Sequence, residues 1–241
     1  MSKPNTLLFD LDGTLLGMRT EEFVHQYIGE ISKFLGDRFD TKLVVQSVFG
    51  ATKAMIMSRE PDKTNEQVFT ETFLEQTGIA KEEIWPIFDQ FYQEVFPNLS
   101  HLTYPSPLAK QIVEAAKEAG YRVVVATNPV FPRDAIHSRL AWIELSPDDF
   151  ELVTVYEESH HTKPNLGYFQ EICDRIGVTP ADCIMIGNHM QEDMVASKLG
   201  MTTFLMTDYL ENRGEPIYPV DQQGSMQELY EQIKNRHGIF A

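Results

Sequence analysis

The chain has 241 residues, 42% of them hydrophobic, and a formal net charge of −16 at pH 7. That length supports one large domain, or one domain carrying an insertion, around a core that needs no disulfide. The charge argues against nucleic acid and anionic membranes, which call for clustered Lys and Arg, and no apolar stretch approaches the ~20 residues of a membrane span.

The first element is a strand, Thr6 to Asp10, an apolar run that ends in Asp10 and Asp12 before Gly13. Side chains two apart on a strand leave on the same face. Both carboxylates therefore stand at the carboxyl end of a strand, where open α/β sheets bind ligands. From about Met18 to Pro97 no strand pattern occurs. Helical periodicity covers Glu21 to Phe34, Lys42 to Ser58, Asn65 to Gln76 and Glu82 to Val95, with Thr64 and Gln67 spaced as a capping box before the third. Four helices exceed what one crossover needs, so residues 18–97 are expected to form an inserted helical module, with 1–17 and 98–241 as the core domain.

Beyond it, Ser106-Pro107 opens a helix that stops before Gly120. Strands follow at Tyr121 to Thr127, Glu151 to Tyr156, Asp182 to Asn188 and Met201 to Met206, with helices at Asn165 to Ile176 and Gln191 to Leu199. Apolar strands alternating with helices give an α/β class: a doubly wound parallel sheet with both faces covered. Cys173 and Cys183 lack metal-ligand spacing and are expected to be buried free thiols, which fits a cytoplasmic protein.

Polar groups recur at the strand ends. Thr127-Asn128-Pro129 offers a hydroxyl and, since Pro129 has no N–H, the backbone amide of Asn128. Lys163, in His160-His161-Thr162-Lys163-Pro164, supplies a cation from a loop before a helix. Gly187-Asn188-His189-Met190-Gln191-Glu192-Asp193 closes the set. Taken in order, these motifs resemble the four motifs of the haloacid dehalogenase superfamily of phosphohydrolases. The helical insertion resembles the cap of the subgroup containing phosphoglycolate phosphatase and β-phosphoglucomutase.

The resemblance implies a Rossmann-like core with a mobile cap and a magnesium-dependent phosphatase for a small phosphorylated metabolite. Asp10 would be the nucleophile that becomes an aspartyl phosphate, and Asp12 the general acid and base. Thr127, Asn128 and Lys163 would bind the phosphate, and Mg2+ would be held by Asp10, Asp12 (through its carbonyl), Asn188 and Asp193. An aspartate at position 12 favours phosphoryl chemistry over carbon–halogen cleavage. The family's fourth motif usually carries Asp where this chain has Asn188. Two unit charges 4 Å apart at an effective dielectric of ~20 interact by roughly 4 kcal/mol, so the amide is expected to weaken metal binding. Asp193 and Glu192 each fit one of the family's two common spacings; they would lie about 100° apart on a helix, with Asp193 expected toward the metal. His189 is not expected as a ligand.

Thr20, Glu21, Thr52, Lys53 and Arg59 are polar candidates for substrate contact, while Phe23, Phe49, Trp85 and Phe88 are expected in the cap's own core. A phosphomutase shares these motifs, and a family member reduced to binding or regulation is the other reading. The expected partner is a small metabolite, with neither nucleic acid nor membrane, and the chain a monomer or homodimer.

Overall fold

A computed structural model describes residues 3–241. Six parallel strands form one sheet in the order β3-β2-β1-β4-β5-β6. They are β1 (Thr6–Phe9), β2 (Arg122–Val125), β3 (Leu152–Val153), β4 (Cys183–Gly187), β5 (Thr202–Met206) and β6 (Gln222–Gly224). The polar Gln222–Gly224 segment has no apolar signal and was not expected as a strand; it is a sheet edge, held by pairing with β5.

The period of two along each strand divides the core. Leu7, Phe9, Val123, Val125, Ile184 and Ile186 pack on one face, toward α5 (Leu108–Glu118), α6 (Arg133–Trp142) and α8 (Met226–Asn235). Leu8, Val124 and Met185 pack on the other, where α7 (Leu166–Ile176) presents Tyr168, Phe169, Ile172 and Cys173. Asn165 caps α7 by accepting from the Gly167 N–H, and Gly177 ends it at a left-handed φ of 69°. Cys173 and Cys183 are both free and buried. One expectation fails: Gln191–Leu199 is not an α-helix but a turn followed by a 3-10 segment, Met194–Leu199. The chain there folds around a carboxylate rather than continuing a ladder.

Between β1 and β2 lie four helices, α1 (Thr20–Leu35), α2 (Thr41–Met57), α3 (Asn65–Thr77) and α4 (Lys81–Glu94). The Thr64–Gln67 capping box is formed at α3. Gly17 and Tyr104 pair where the chain enters and leaves this segment, the Tyr104 N–H donating to the Gly17 carbonyl at 2.7 Å. A Cβ on Gly17 would lie 2.6 Å from the Tyr104 oxygen, so the close approach needs glycine. The start of α3 also reaches the core loops. Asn65 N–H donates to the Ser159 carbonyl (2.7 Å) and Glu66 N–H to that of Tyr156 (3.0 Å), while the Asn65 amide donates to the carbonyls of Pro129 and His161. No helix among the described residues is long and apolar enough to cross a membrane.

Candidate active site

Parallel register brings three strand ends to one level. Phe9 pairs with Val125 on one side and Ile186 on the other, and pairing continues one residue further through the Asp10 N–H to the Ile186 carbonyl (2.9 Å). Asp10, Thr127 and Asn188 thus lie at the carboxyl edge of the sheet, and all three are buried.

Lys163 organises the centre. Its ammonium, on a side chain 1% exposed, lies 2.8 Å from Asp10 Oδ1 and 2.6 Å from Asp193 Oδ1. Burial pushes the ammonium's pKa down, but the two carboxylates more than compensate and hold it well above the usual lysine range. Asp10 goes the opposite way for a carboxylate: burial raises it, Lys163 draws it partly back, and Asp193 and Asp12 raise it again, to about 7. One lysine cannot neutralise two buried acids. With both acids ionised, the pocket floor therefore carries an unneutralised negative charge.

Asp12 lies beside it with a partner of its own, the guanidinium of Arg139 from α6, which is 1% exposed. That guanidinium packs 4.1 Å from the centroid of Phe131. One Asp12 oxygen takes the arginine and the other, Oδ1, is buried with no partner. Arg139 was not legible as a site residue, because it is one charge on an otherwise ordinary helix more than a hundred positions away. Thr14 likewise carries no signal of its own in the sequence: its hydroxyl lies 3.2 Å from Asp10 Oδ2 and 3.3 Å from Asn188 Oδ1.

The Asn188 side chain is fixed at both ends. Its Nδ2 donates to the Tyr209 carbonyl at 2.6 Å, which turns Oδ1 toward Thr14 and Asp10. Gly13, at φ 83°, allows this, since a Cβ there would strike the Asn188 amide. Asp193 and Glu192 diverge, though not by helical geometry. In the turn, Asp193 N–H donates to the His189 carbonyl and His189 N–H returns a bond to Asp193 Oδ2, both at 2.9 Å. Glu192 faces away from this pair, accepting from Asn128 Nδ2 (3.1 Å) and from Arg213 (2.9 Å).

Asn128 contributes a side chain as well as a backbone. Its Oδ1 accepts the Lys163 N–H at 3.1 Å, tying two of the sequence motifs together. The Thr127 carbonyl accepts from Thr154 and from Tyr168, both at 2.7 Å. His189 Nδ1 accepts the N–H groups of Gln191 and Glu192. His160 and His161 face Glu171 outside the site.

Asp10, Asp193 and the Asn188 amide present hard oxygen donors around an uncompensated charge, a donor set that suits Mg2+. Among the described residues no three His, Cys, Asp or Glu side chains form a metal-ligating group, and the third oxygen here belongs to an amide.

Above these groups opens a cavity of about 330 Å³. Thr20 and Thr52 line it; Glu21, Lys53 and Arg59 do not. Of the aromatics expected in the cap core, Phe23 and Phe88 are buried there and Trp85 packs against that core, with Trp85 and Phe88 also lining the cavity; Phe49 lines the cavity and is exposed. Periodicity identifies an apolar face but not whether it meets a helix or a void.

A family model described as haloacid dehalogenase-like hydrolase matches residues 4–199. A phosphoglycolate phosphatase of Vibrio vulnificus is 27% identical over 211 residues, covering 88% of this chain and 86% of that protein. A pyrophosphatase PpaX of Bacillus mycoides is 20% identical over 236 residues, 96% of this chain and 99% of its own. Among solved structures, the HAD phosphatase of Thermococcus onnurineus superposes with a TM-score of 0.59 at 19% identity, covering 94% of this chain and 96% of that one. The L-2-haloacid dehalogenase of Xanthobacter autotrophicus gives 0.58 at 15% identity, covering 97% and 100%. At these identities the structures speak for the fold.

Proposed function

We infer the reaction from one premise: this chain belongs to the haloacid dehalogenase-like hydrolase family, as a phosphoric monoester hydrolase. The reading is a magnesium-dependent phosphatase that works through an aspartyl phosphate. The observation that carries it is Asp10, buried on Lys163 with the free oxygen of Asp12 beside it.

An oxygen of Asp10 attacks phosphorus, the bond from phosphorus to the alcohol oxygen breaks, and the departing oxygen takes its proton from Asp12, which enters the step as the carboxylic acid with the proton on the oxygen not held by Arg139. Asp12 then removes a proton from water, which attacks the same phosphorus and returns Asp10 with inorganic phosphate. Thr127, the Asn128 amide and Lys163 balance charge on the transferring group. Asp10, Asp193, Asn188 and the Asp12 carbonyl would hold Mg2+, which supplies charge neutralisation at the phosphoryl oxygens. Arg139 holds the Asp12 side chain so that its unpartnered oxygen is the one offered to the leaving group.

The test is phosphate release from phenyl phosphate with Mg2+, with a chelator, and in Asp10→Asn, together with acid-quench capture of phosphorylated protein. Release and capture are expected only with both metal and Asp10. Release that persists in Asp10→Asn refutes the nucleophile.

A further inference from the structure

We propose that the chamber above Asp10 and Asp12 is built for the phosphomonoester of an uncharged, apolar alcohol, aryl or alkyl. Carboxylated or doubly phosphorylated substrates are then poor ones. The inference rests on the phosphatase reading above and deepens it.

Three helices turn a mainly apolar stripe toward the chamber, with Trp85 and Phe88 also packed on Phe73 of α3. From α1 come Val24, Ile28 and Ile31, from α2 Val48 and Ile56 around Thr52, and from α4 Trp85, Phe88 and Tyr92. These follow helical spacing, i, i+4, i+7 in α1, i, i+4, i+8 in α2 and i, i+3, i+7 in α4. The same cavity is bounded below by Asp10, Asp12 and Lys163, so a phosphate on the floor places its alcohol against these stripes.

Charge decides what that alcohol is. Lys163 is held by two carboxylates, and the other lining cation, Arg213, is occupied by Glu192 at 2.9 Å and Glu211 at 4.0 Å. The remaining charged groups of the wall are acids, Asp89 and Glu211 among them. A carboxylate or second phosphate on the alcohol would enter an apolar space with no free cation. A sugar fares less well than an alkyl chain, because each buried hydroxyl needs a partner: the hydroxyls of Tyr27 and Tyr92 already bond each other at 2.6 Å, and the scattered Thr20, Thr52, Tyr156 and Asp89 are what the wall offers several ring hydroxyls. Phe49 lines the mouth and is 51% exposed, an aromatic side chain at the entrance.

The experiment is kcat/KM for ethyl, butyl, hexyl and octyl phosphate, whose leaving-group chemistry is constant, beside phosphoglycolate and glucose 6-phosphate. Each methylene buried in the chamber is expected to raise kcat/KM about threefold, on the order of 100-fold from ethyl to hexyl, with phosphoglycolate no better than ethyl phosphate. Phe49→Arg, at an exposed position that tolerates charge, is expected to cut hexyl phosphate turnover and raise phosphoglycolate turnover about tenfold. A flat series, or phosphoglycolate or glucose 6-phosphate as the better substrate, overturns the proposal and leaves the phosphatase reading intact. If no ester is hydrolysed at all, the phosphatase reading fails, and calorimetry with the corresponding alkylphosphonates still decides the chamber: affinity rising with chain length supports it, and affinity indifferent to length overturns it.

Discussion

Replacing Asp10 by Asn in metal-free protein should make the fold more stable at neutral pH while abolishing its chemistry. In the folded state the Asp10 carboxyl is raised to about 7, chiefly by burial and then by Asp193 and Asp12 against the pull of Lys163. In the unfolded chain it has its ordinary value of 3.8. The native state therefore binds a proton the unfolded state has released, and stability falls as pH climbs between those values. At 1.36 kcal/mol per unit, the cost at pH 8 is about 4 kcal/mol as an upper bound. Asn is the neutral isostere and leaves Lys163 with Asp193. The assay is thermal and urea unfolding of wild type and Asp10→Asn in a chelator at pH 4, 6 and 8. The gain should be under about 1 kcal/mol at pH 4 and should grow to a few kcal/mol, several degrees in Tm, at pH 8. An equal gain at pH 4 and 8, or a less stable variant at pH 8, would sink the account of an unneutralised charge.

Asn188→Asp adds a carboxylate to the proposed metal set but loses the donor to the Tyr209 carbonyl. The magnesium concentration for half-maximal activity should fall several-fold, while metal-free stability drops by about 1–2 kcal/mol; metal titration and melting in chelator read the two effects separately. Arg139→Gln removes the partner of Asp12 and leaves a cavity against Phe131. Stability should fall by about 3 kcal/mol and kcat by on the order of 100-fold, as measured by urea unfolding and steady-state kinetics. A variant that loses stability but keeps full kcat would show that Arg139 serves packing alone.

What the sequence carried was local. The run Thr6–Phe9 before two aspartates, the capping box at Thr64, and Asn165 with Gly177 around α7 each combine an apolar period with a stop signal, so fold class and motif order were legible. The edge strand Gln222–Gly224 was not, since it owes its form to its neighbour β5. Nor was the Gln191–Leu199 turn, where the chain gives up helical bonds to wrap the Asp193 carboxylate; even Gly187 is glycine because a Cβ would collide with that group. Arg139 and Thr14 illustrate the same limit. A side chain that acts on a distant partner carries no spacing to read, and an aromatic such as Phe49, on a helical apolar period yet half exposed at the cavity, shows that periodicity does not say whether the facing space is filled.

The seat of α3 on the core has a kinetic meaning. Four hydrogen bonds from Asn65 and Glu66 hold it to Pro129, Tyr156, Ser159 and His161, and water can replace each of them at a net cost of about 1 kcal/mol. Breaking these four bonds alone costs roughly 4 kcal/mol, which by itself limits the open fraction to on the order of one molecule in a thousand, and the ring contacts of Tyr27 with Phe131 and of Phe96 with Trp142 lower it further. Where the chain enters and leaves the segment, Gly17 and Tyr104 are joined by their own backbone hydrogen bond. A lid fastened in this way would spend nearly all its time shut and, reopening on the microsecond-to-millisecond scale of such motions, would still be fast enough to serve the phosphatase cycle proposed above.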